Sequence, residues 1–308
     1  QELEIVFDQA EQKIFKLTQE RTQEGLVPIA DTLIQTFNNI ENLHQNITLP
    51  GIPCGFYDLD AYTSGFQRSD LIIVAGRPSM GKTAISVCFA NNIAQSLPVA
   101  IFSLEMSKEQ LTQRLLAMET GISSTAIRSG RLQTNEFESL GDGLGKLSNL
   151  SIFIDDTPNM GVPQMRSQCR KLQAEKGQLG LVVIDYLQLM GNESATENRV
   201  QELSRITRAL KGLARELKVP IIALSQLSRA VEQRNNKRPI LSDLRDSGSL
   251  EQDADIVLML YRDEYYNPHS PDRNIAEIIV TKHRNGPTGT IKLLFRPELT
   301  KFSNLVDF

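Results

Sequence analysis

The stretch Leu71-Ile-Ile-Val-Ala-Gly76-Arg77-Pro78-Ser79-Met80-Gly81-Lys82-Thr83-Ala84 decides the fold. A β-branched apolar run ends in a glycine, Gly-Lys-Thr follows, and a helix-forming segment comes after it. This is the full phosphate-binding pattern G-x-x-x-x-G-K-[ST] in its strand–loop–helix setting. Gly76 and Gly81 are expected to permit the torsions that aim successive N–H groups at one anion. The next helix adds its N-terminal N–H groups and the positive end of its dipole. Lys82 reaches the outer phosphates of a nucleotide such as ATP, and the Thr83 hydroxyl is a ligand for Mg²⁺.

Outward from this loop, near-continuous apolar runs alternate with helical patterns. The runs are Leu71–Ala75, Val99–Ser103, Leu150–Asp155, Leu181–Asp185, Ile221–Ser225, Asp255–Tyr261, Ile275–Lys282 and Thr290–Phe295. Runs without polar alternation suit strands covered on both faces. Ser107 with Gln110 forms a capping box ahead of Leu111, Leu115 and Met118. Pro163 opens a second helix, and a third runs from about Glu197 to Leu217. The alternation predicts an α/β fold, a mostly parallel twisted sheet with helices on both faces. The link His283–Gly289 is too short for a helix, so the last two strands are expected to form a C-terminal antiparallel hairpin. Two polar connections are long, 191–196 and 228–253.

Residues 1–24 carry a sparse stripe of Leu3, Phe7, Ala10, Ile14 and Leu17. Its spacing fits a helix that packs either on its own domain or on a neighbouring subunit. After Gly25 and Pro28, a second amphipathic helix is expected with Leu33, Phe37 and Ile40 on one face, then a Pro/Gly-rich entry to the main domain. The expected organisation is therefore 1–24, 25–49 and 50–308. Because the chain starts with Gln1, it is read as a fragment of a longer protein.

Composition sets bounds. The 308 residues hold 40% hydrophobic and 23% charged residues, which suits one large α/β domain with an appendage. The formal net charge of −4 means that any nucleic-acid site must be a local basic patch. Cys54, Cys88 and Cys169 form no C-x-x-C pair and read as buried apolar residues. His44, His269 and His283 lack ligand spacing, and no structural metal is expected. No apolar run approaches the ~20 residues of a membrane span.

Three strand ends carry the groups that hydrolysis needs. Asp185 closes an apolar strand, where it can hold Mg²⁺ opposite Thr83. Glu105 follows another and is read as the residue that orients the attacking water, over the alternative of serving only the next helix dipole. Gln226 ends a third; taken alone it reads as an ordinary polar strand terminus, and beside the other two it can bond the γ-phosphate or the water.

Six blocks, taken together, resemble the DnaB family of replicative helicases. They are Gly76–Thr83, Phe102–Met106, Asp185–Gln188, Leu224–Arg229, Ser242–Asp255 and Lys282–Gly289, in consistent order from about residue 50 to the end. Residues 1–24 resemble that family's linker helix, and its N-terminal domain is absent. The resemblance implies a RecA-like P-loop NTPase working as a homohexameric ring, with ATP between subunits and single-stranded DNA threading the centre. It makes Glu105 the catalytic glutamate, Asp185 the Walker B aspartate and Gln226 the γ-phosphate sensor. Lys282 and Arg284 match the basic pair that reaches into the neighbour's active site, an arginine-finger device. Arg245 matches a DNA-phosphate contact, with the backbone near Asp246 and Gly248 against the next phosphate. Asp246 stands where many relatives have Glu. Primase and a helicase loader are the implied partners, and the bacterial cytoplasm or an organelle stroma the setting. Two rival readings share parts of this pattern: a RecA-like recombination or branch-migration ATPase, and a nucleotide-gated adaptor that assembles without unwinding. The segment Ser242–Asp255 and the Lys282–Gly289 link favour the helicase over the first, and Glu105 argues against the second.

Overall fold

Strand β1 (Leu71–Gly76) is buried along its whole length, and everything else in the main unit is arranged around it. The structure, a computed structural model, describes residue 26 and residues 28–46, 50–190 and 196–305. The chain divides into two units, residues 1–48 and 49–308.

In the first unit, helix α1 (Ile29–Asn46) carries Leu33, Phe37 and Ile40, all exposed. The expected helix over 1–24 lies outside the described residues.

The second unit opens with α2 (Tyr57–Thr63) and then β1. Further strands are β2 (Val99–Ser103), β3 (Ile152–Asp155), β4 (Leu181–Asp185), β5 (Ile221–Gln226), β6 (Ile256–Tyr261), β7 (Ile275–His283), β8 (Gly289–Arg296) and β9 (Lys301–Asn304). They form one sheet in the order β3-β2-β4-β5-β1-β6-β7-β8-β9. The first six in that order pair in parallel, and β7, β8 and β9 add on antiparallel. Strand β9 extends the expected hairpin by a third strand.

Helix α3 (Lys82–Ile93) follows β1, α4 (Lys108–Thr120) follows β2, and α5 (Ser124–Ser129) and α6 (Glu136–Ser148) come before β3. Helix α7 (Val162–Lys176) leads into β4, and α8 (Thr196–Leu217) into β5. The Ser107–Gln110 capping box is present, with both reciprocal bonds made. The connection 228–253 holds two short helices, α9 (Ala230–Gln233) and α10 (Gly248–Asp253), with a 3-10 segment over Leu241–Ser247 between them.

Side-chain alternation along β1 divides the core. Ile72 and Val74 pack with Ile85 and Phe89 of α3 and Leu111 and Leu115 of α4. Leu71, Ile73 and Ala75 pack with Met165 of α7 and Leu210, Leu213 and Leu217 of α8. Both faces of a parallel sheet are thereby removed from water. Cys54, Cys88 and Cys169 are all buried, as read from the sequence.

At the N-terminal end of β1, charges gather under the sheet. The Asp255 carboxylate accepts the Leu71 N–H at 2.8 Å and the Lys211 Nζ at 2.5 Å. Asp70 is buried beside it, and its carboxyl is pushed up to about 6, first by burial and then by the Asp255 charge, against Lys211 and Arg284. A raised carboxyl favours the proton in the folded state. Asp70 therefore costs no stability below the unfolded value near ~4, and costs progressively more as pH climbs to about 6. Asp70→Asn should raise the melting temperature at pH 8, by a free energy on the order of 1 kcal/mol, and leave it nearly unchanged at pH 4. Thermal unfolding of both proteins across pH 4–8 measures this; a parallel offset at every pH would show that Asp70 titrates normally.

Candidate active site

The phosphate loop is shaped by what its side chains do away from the cleft. Met80 is 1% exposed and sits in the core, which anchors the middle of the loop. The Arg77 guanidinium turns out of the cleft, donating to the Leu227 carbonyl at 2.8 Å and to Glu232 at 2.9 Å. Ser79 and Gly81 have positive φ, 65° and 99°. At Gly81 a Cβ would also meet the Phe302 ring at 3.0 Å, so glycine is required twice over. Gly76 differs from the sequence-based expectation, since its φ is not positive. Its role is close passage: a Cβ there would stand 3.4 Å from Lys82 and Leu260. Pro78 and Ser79 line the cleft, as does Ala84 from the first turn of α3.

Sheet register brings the other groups to this loop. Gly76 pairs with Gln226, and Ser103 with Asp185, so the C-terminal ends of β1, β2, β4 and β5 share one edge. A cleft of about 830 Å³ opens there, lined among others by Lys82, Thr83, Glu105, Arg114, Asp185 and Gln226. Lys82 Nζ donates to the loop carbonyls of Gly76 and Arg77 at 3.0 and 3.3 Å. Burial lowers its pKa, opposed by the charges of Asp185 and Glu105. The Thr83 hydroxyl donates to Asp185 Oδ2 at 2.8 Å. Burial raises the Asp185 carboxyl and the Thr83 bond lowers it, with Glu105 adding a further upward push. Two hard oxygens from opposite walls, one hydroxyl and one carboxylate, are the donor set that Mg²⁺ takes when substrate phosphates supply the rest. Gln188 holds the end of β5, donating to Ser225 Oγ at 3.0 Å and the Gln226 carbonyl at 3.3 Å.

Arg114 of α4 was not singled out in the sequence. It stands in the cleft, its pKa lowered by burial and raised by the charges of Asp185 and Glu105. Arg262 was also missed; it donates to the Ser79 carbonyl at 3.2 Å and lies 4.6 Å over the Phe295 ring. Only a spacing argument could have found Arg114, seven residues after the Ser107 cap and beside the buried Leu115.

Lys282 and Arg284 are not in this cleft. Lys282 Nζ donates to the carbonyls of Glu251 and Ala254, at 2.5 and 2.7 Å, and Arg284 Nη2 to that of Gln252 at 2.9 Å. They lie where β6 begins, the N-terminal edge of the parallel sheet, because β7 runs antiparallel to β6. The length of β1 separates that edge from Gly76, about 17 Å at the usual rise per strand residue. Arg245, Asp246 and Gly248 lie in the 3-10 segment and at the start of α10, but their side chains are outside the described residues.

A phosphate loop at the C-terminal edge of a parallel sheet, with strand-end carboxylates facing it, defines a nucleotide-binding ATPase domain of RecA-like fold. The family described as DnaB-like helicase C terminal domain matches residues 51–304, and the chain belongs to it. The chain is 68% identical over 260 residues to the replicative DNA helicase DnaB of Nostoc sp., covering 83% of this chain and 29% of that protein. It is 53% identical over 308 residues to the DnaB of Geobacillus stearothermophilus, covering 99% and 68%. The chain thus spans under a third of the first relative's length and about two thirds of the second's. Among solved structures, one described as an ATPase domain superposes with a TM-score of 0.87 at 41% identity, covering 92% of this chain and all of that one. A DnaB-like replicative helicase, whose structure was described with its interactions with primase, gives 0.83 at 39%, covering 96% and 72%. The RadB recombinase, at 19% identity and 0.51, shares the fold alone.

Arg114→Ala should cut ATP turnover by about 10²-fold, the scale seen when one charge-stabilising group is removed. Nucleotide affinity should change far less. Steady-state kinetics with a fluorescent-nucleotide titration measures both, and equal losses in the two would make Arg114 a binding group only.

Proposed function

We propose that this chain is the motor of an ATP-driven replicative DNA helicase, a ring that moves on single-stranded DNA and unwinds duplex. The observation that supports it is the separation of Lys282 and Arg284 from their own cleft. A basic pair set off from its own phosphate loop by the length of β1, about 17 Å, is out of reach of that loop and free to face another copy's. Each active site is therefore completed between subunits, which a closed homohexamer satisfies without leaving an end unpaired.

The triphosphate of ATP lies on the N–H groups of the loop and the α3 N-terminus, with Lys82 turned from its loop carbonyls to the outer phosphates. Thr83 and Asp185 would hold Mg²⁺, which would neutralise phosphate charge there. Glu105 orients the attacking water. Gln226 bonds the γ-phosphate, and Arg284 with Lys282 of the adjacent subunit stabilises the charge that develops on it. Loss of phosphate is relayed from Gln226 through Leu227 and Ser228 to Asp243, whose carbonyl accepts from Ser228 N–H and which lies in the 3-10 segment. Arg245 on that segment contacts a DNA phosphate, and the backbone near Asp246 and Gly248 the next one, which gives little sequence preference. Residues 1–24 are read as a linker helix docking on a neighbouring subunit, and 25–49 as the second helix and connector. Primase and a helicase loader are the proposed partners. The bacterial relatives support a cytoplasmic setting.

Turnover per subunit should rise steeply with protein concentration and be stimulated by single-stranded DNA. Turnover independent of both would mean a self-contained ATPase. Arg284→Ala should retain nucleotide binding while hydrolysis falls by about 10³-fold or more, as for other fingers supplied in trans. Arg245→Ala should flatten the salt dependence of single-strand binding, by about 0.7 in log–log slope for each phosphate that is no longer neutralised. An unchanged slope would remove Arg245 from the DNA site.

A further inference from the structure

We propose that Asp255 is the positioning residue of the trans-acting basic pair, fixing Arg284 where it meets the phosphate cleft of a second copy of this chain. The proposal rests on the trans reading of Arg284 given above.

Asp255 stands between α10 and β6 and is 5% exposed. Its backbone already joins two elements: its N–H donates to the Leu71 carbonyl, and its carbonyl accepts the Arg284 N–H, both at 2.9 Å. Its carboxylate repeats the pattern. Oδ2 is held by two fixed donors, the β1 N–H of Leu71 and the ammonium of Lys211, which also donates to the Ser69 carbonyl at 2.8 Å. Oδ1 lies 3.5 Å from Arg284 Nε. One oxygen is thus anchored to β1 and α8, and the other faces the guanidinium.

An arginine side chain has many rotamers, and the Arg284 side chain is 47% exposed. Presenting it across an interface in one orientation requires ordering it beforehand. Two restraints do so here, Asp255 at Nε and the Gln252 carbonyl at Nη2. The Gln252 carbonyl also accepts from Lys282 at 3.3 Å, so the pair is gathered at the C-terminal end of α10. Carbonyls at a helix C-terminus suit cations. The charges facing the group are Asp70, Lys211 and Lys282, with Glu251, Asp253 and Arg208 on the rim.

Asp255 pairs in register next to the start of β1, the length of that strand away from the Lys82 cleft of its own chain. An effect of Asp255 that passes through the basic pair appears in another subunit's site, whereas damage carried along β1 from Leu71 stays in its own. That gives a readout that damage confined to one subunit would not produce.

Asp255→Asn keeps the shape and removes the charge. We expect its kcat to fall by about 10–100-fold, the scale of a misplaced catalytic group, with KM nearly unchanged. Co-assembly with Lys82→Ala should then restore turnover. The Lys82→Ala subunit cannot hydrolyse but offers an intact Arg284 to the intact phosphate loop of Asp255→Asn. Arg284→Ala is mixed with Lys82→Ala in parallel. Recovery of both variants supports the proposal. Recovery of Arg284→Ala alone, or normal turnover by Asp255→Asn, overturns the positioning role and leaves the trans reading intact. Failure of Arg284→Ala to recover overturns the trans reading and this inference with it. Should Asp255→Asn melt out at the assay temperature, Lys211→Gln, which removes the anchor of Oδ2, decides by the same mixing: a kcat loss that recovers supports the proposal, and one that is absent or does not recover overturns it.

Discussion

The hydrogen-bond ladder on the two sides of β1 governs the rest. Gly76 lies opposite Gln226 on one side, and Ile72 opposite Ile256 on the other. Because both pairings are parallel, all C-terminal strand ends fall on one edge. The phosphate loop, Glu105, Asp185 and Gln226 meet there although they are far apart in sequence. One antiparallel step, from β6 to β7, then reverses direction, and the end of β7 arrives at the opposite edge. The same ladder that assembles the cleft therefore carries Lys282 and Arg284 away from it. A sheet that continued in parallel would have ended with the basic pair beside its own nucleotide.

Legibility in the sequence followed the range of the physics involved. The strands from β1 to β8 were readable within a residue or two; β1, β2, β4, β5 and β6 are covered on both faces and so are continuous apolar runs, as in Leu181–Asp185, while β8 alternates buried and exposed residues. Helix α4 was readable because its cap is local: Ser107 and Gln110 satisfy each other within one turn. Strand β9 (Lys301–Asn304) was not, since only Phe302 of its four residues is buried and its pairing with β8 supplies the rest. Helix α6 was hidden by Gly141, Gly143 and Gly145; at Gly143 a Cβ would meet the Thr120 side chain, so that glycine serves helix packing. The candidate site residues at strand ends were legible because the strand itself marks them. Arg114 was not, since its nearness to Asp185 depends on how α4 lies over the sheet.

Arg77 shows how a motif position can be read correctly and still do something else. It is a variable position of the phosphate loop, yet its side chain is 8% exposed and faces away from the cleft. A buried guanidinium without partners would cost several kcal/mol. The Leu227 carbonyl at 2.8 Å is the partner that matters most, because that bond is itself buried. Glu232 is 40% exposed, so solvent screens it and its share is modest. The Leu227 N–H in turn donates to the Gly76 carbonyl at 3.3 Å, the carbonyl that also accepts from Lys82. The phosphate loop and the residues after Gln226 are therefore bound in both directions. Moving that segment away would strip a buried charge of its main acceptor. The cheaper motion carries the loop and the segment together, and the segment leads through Asp243 to residues 245–248. A change that begins at the loop carbonyl shared by Lys82 and Leu227 thus has a short, hydrogen-bonded route to the segment that holds Asp243.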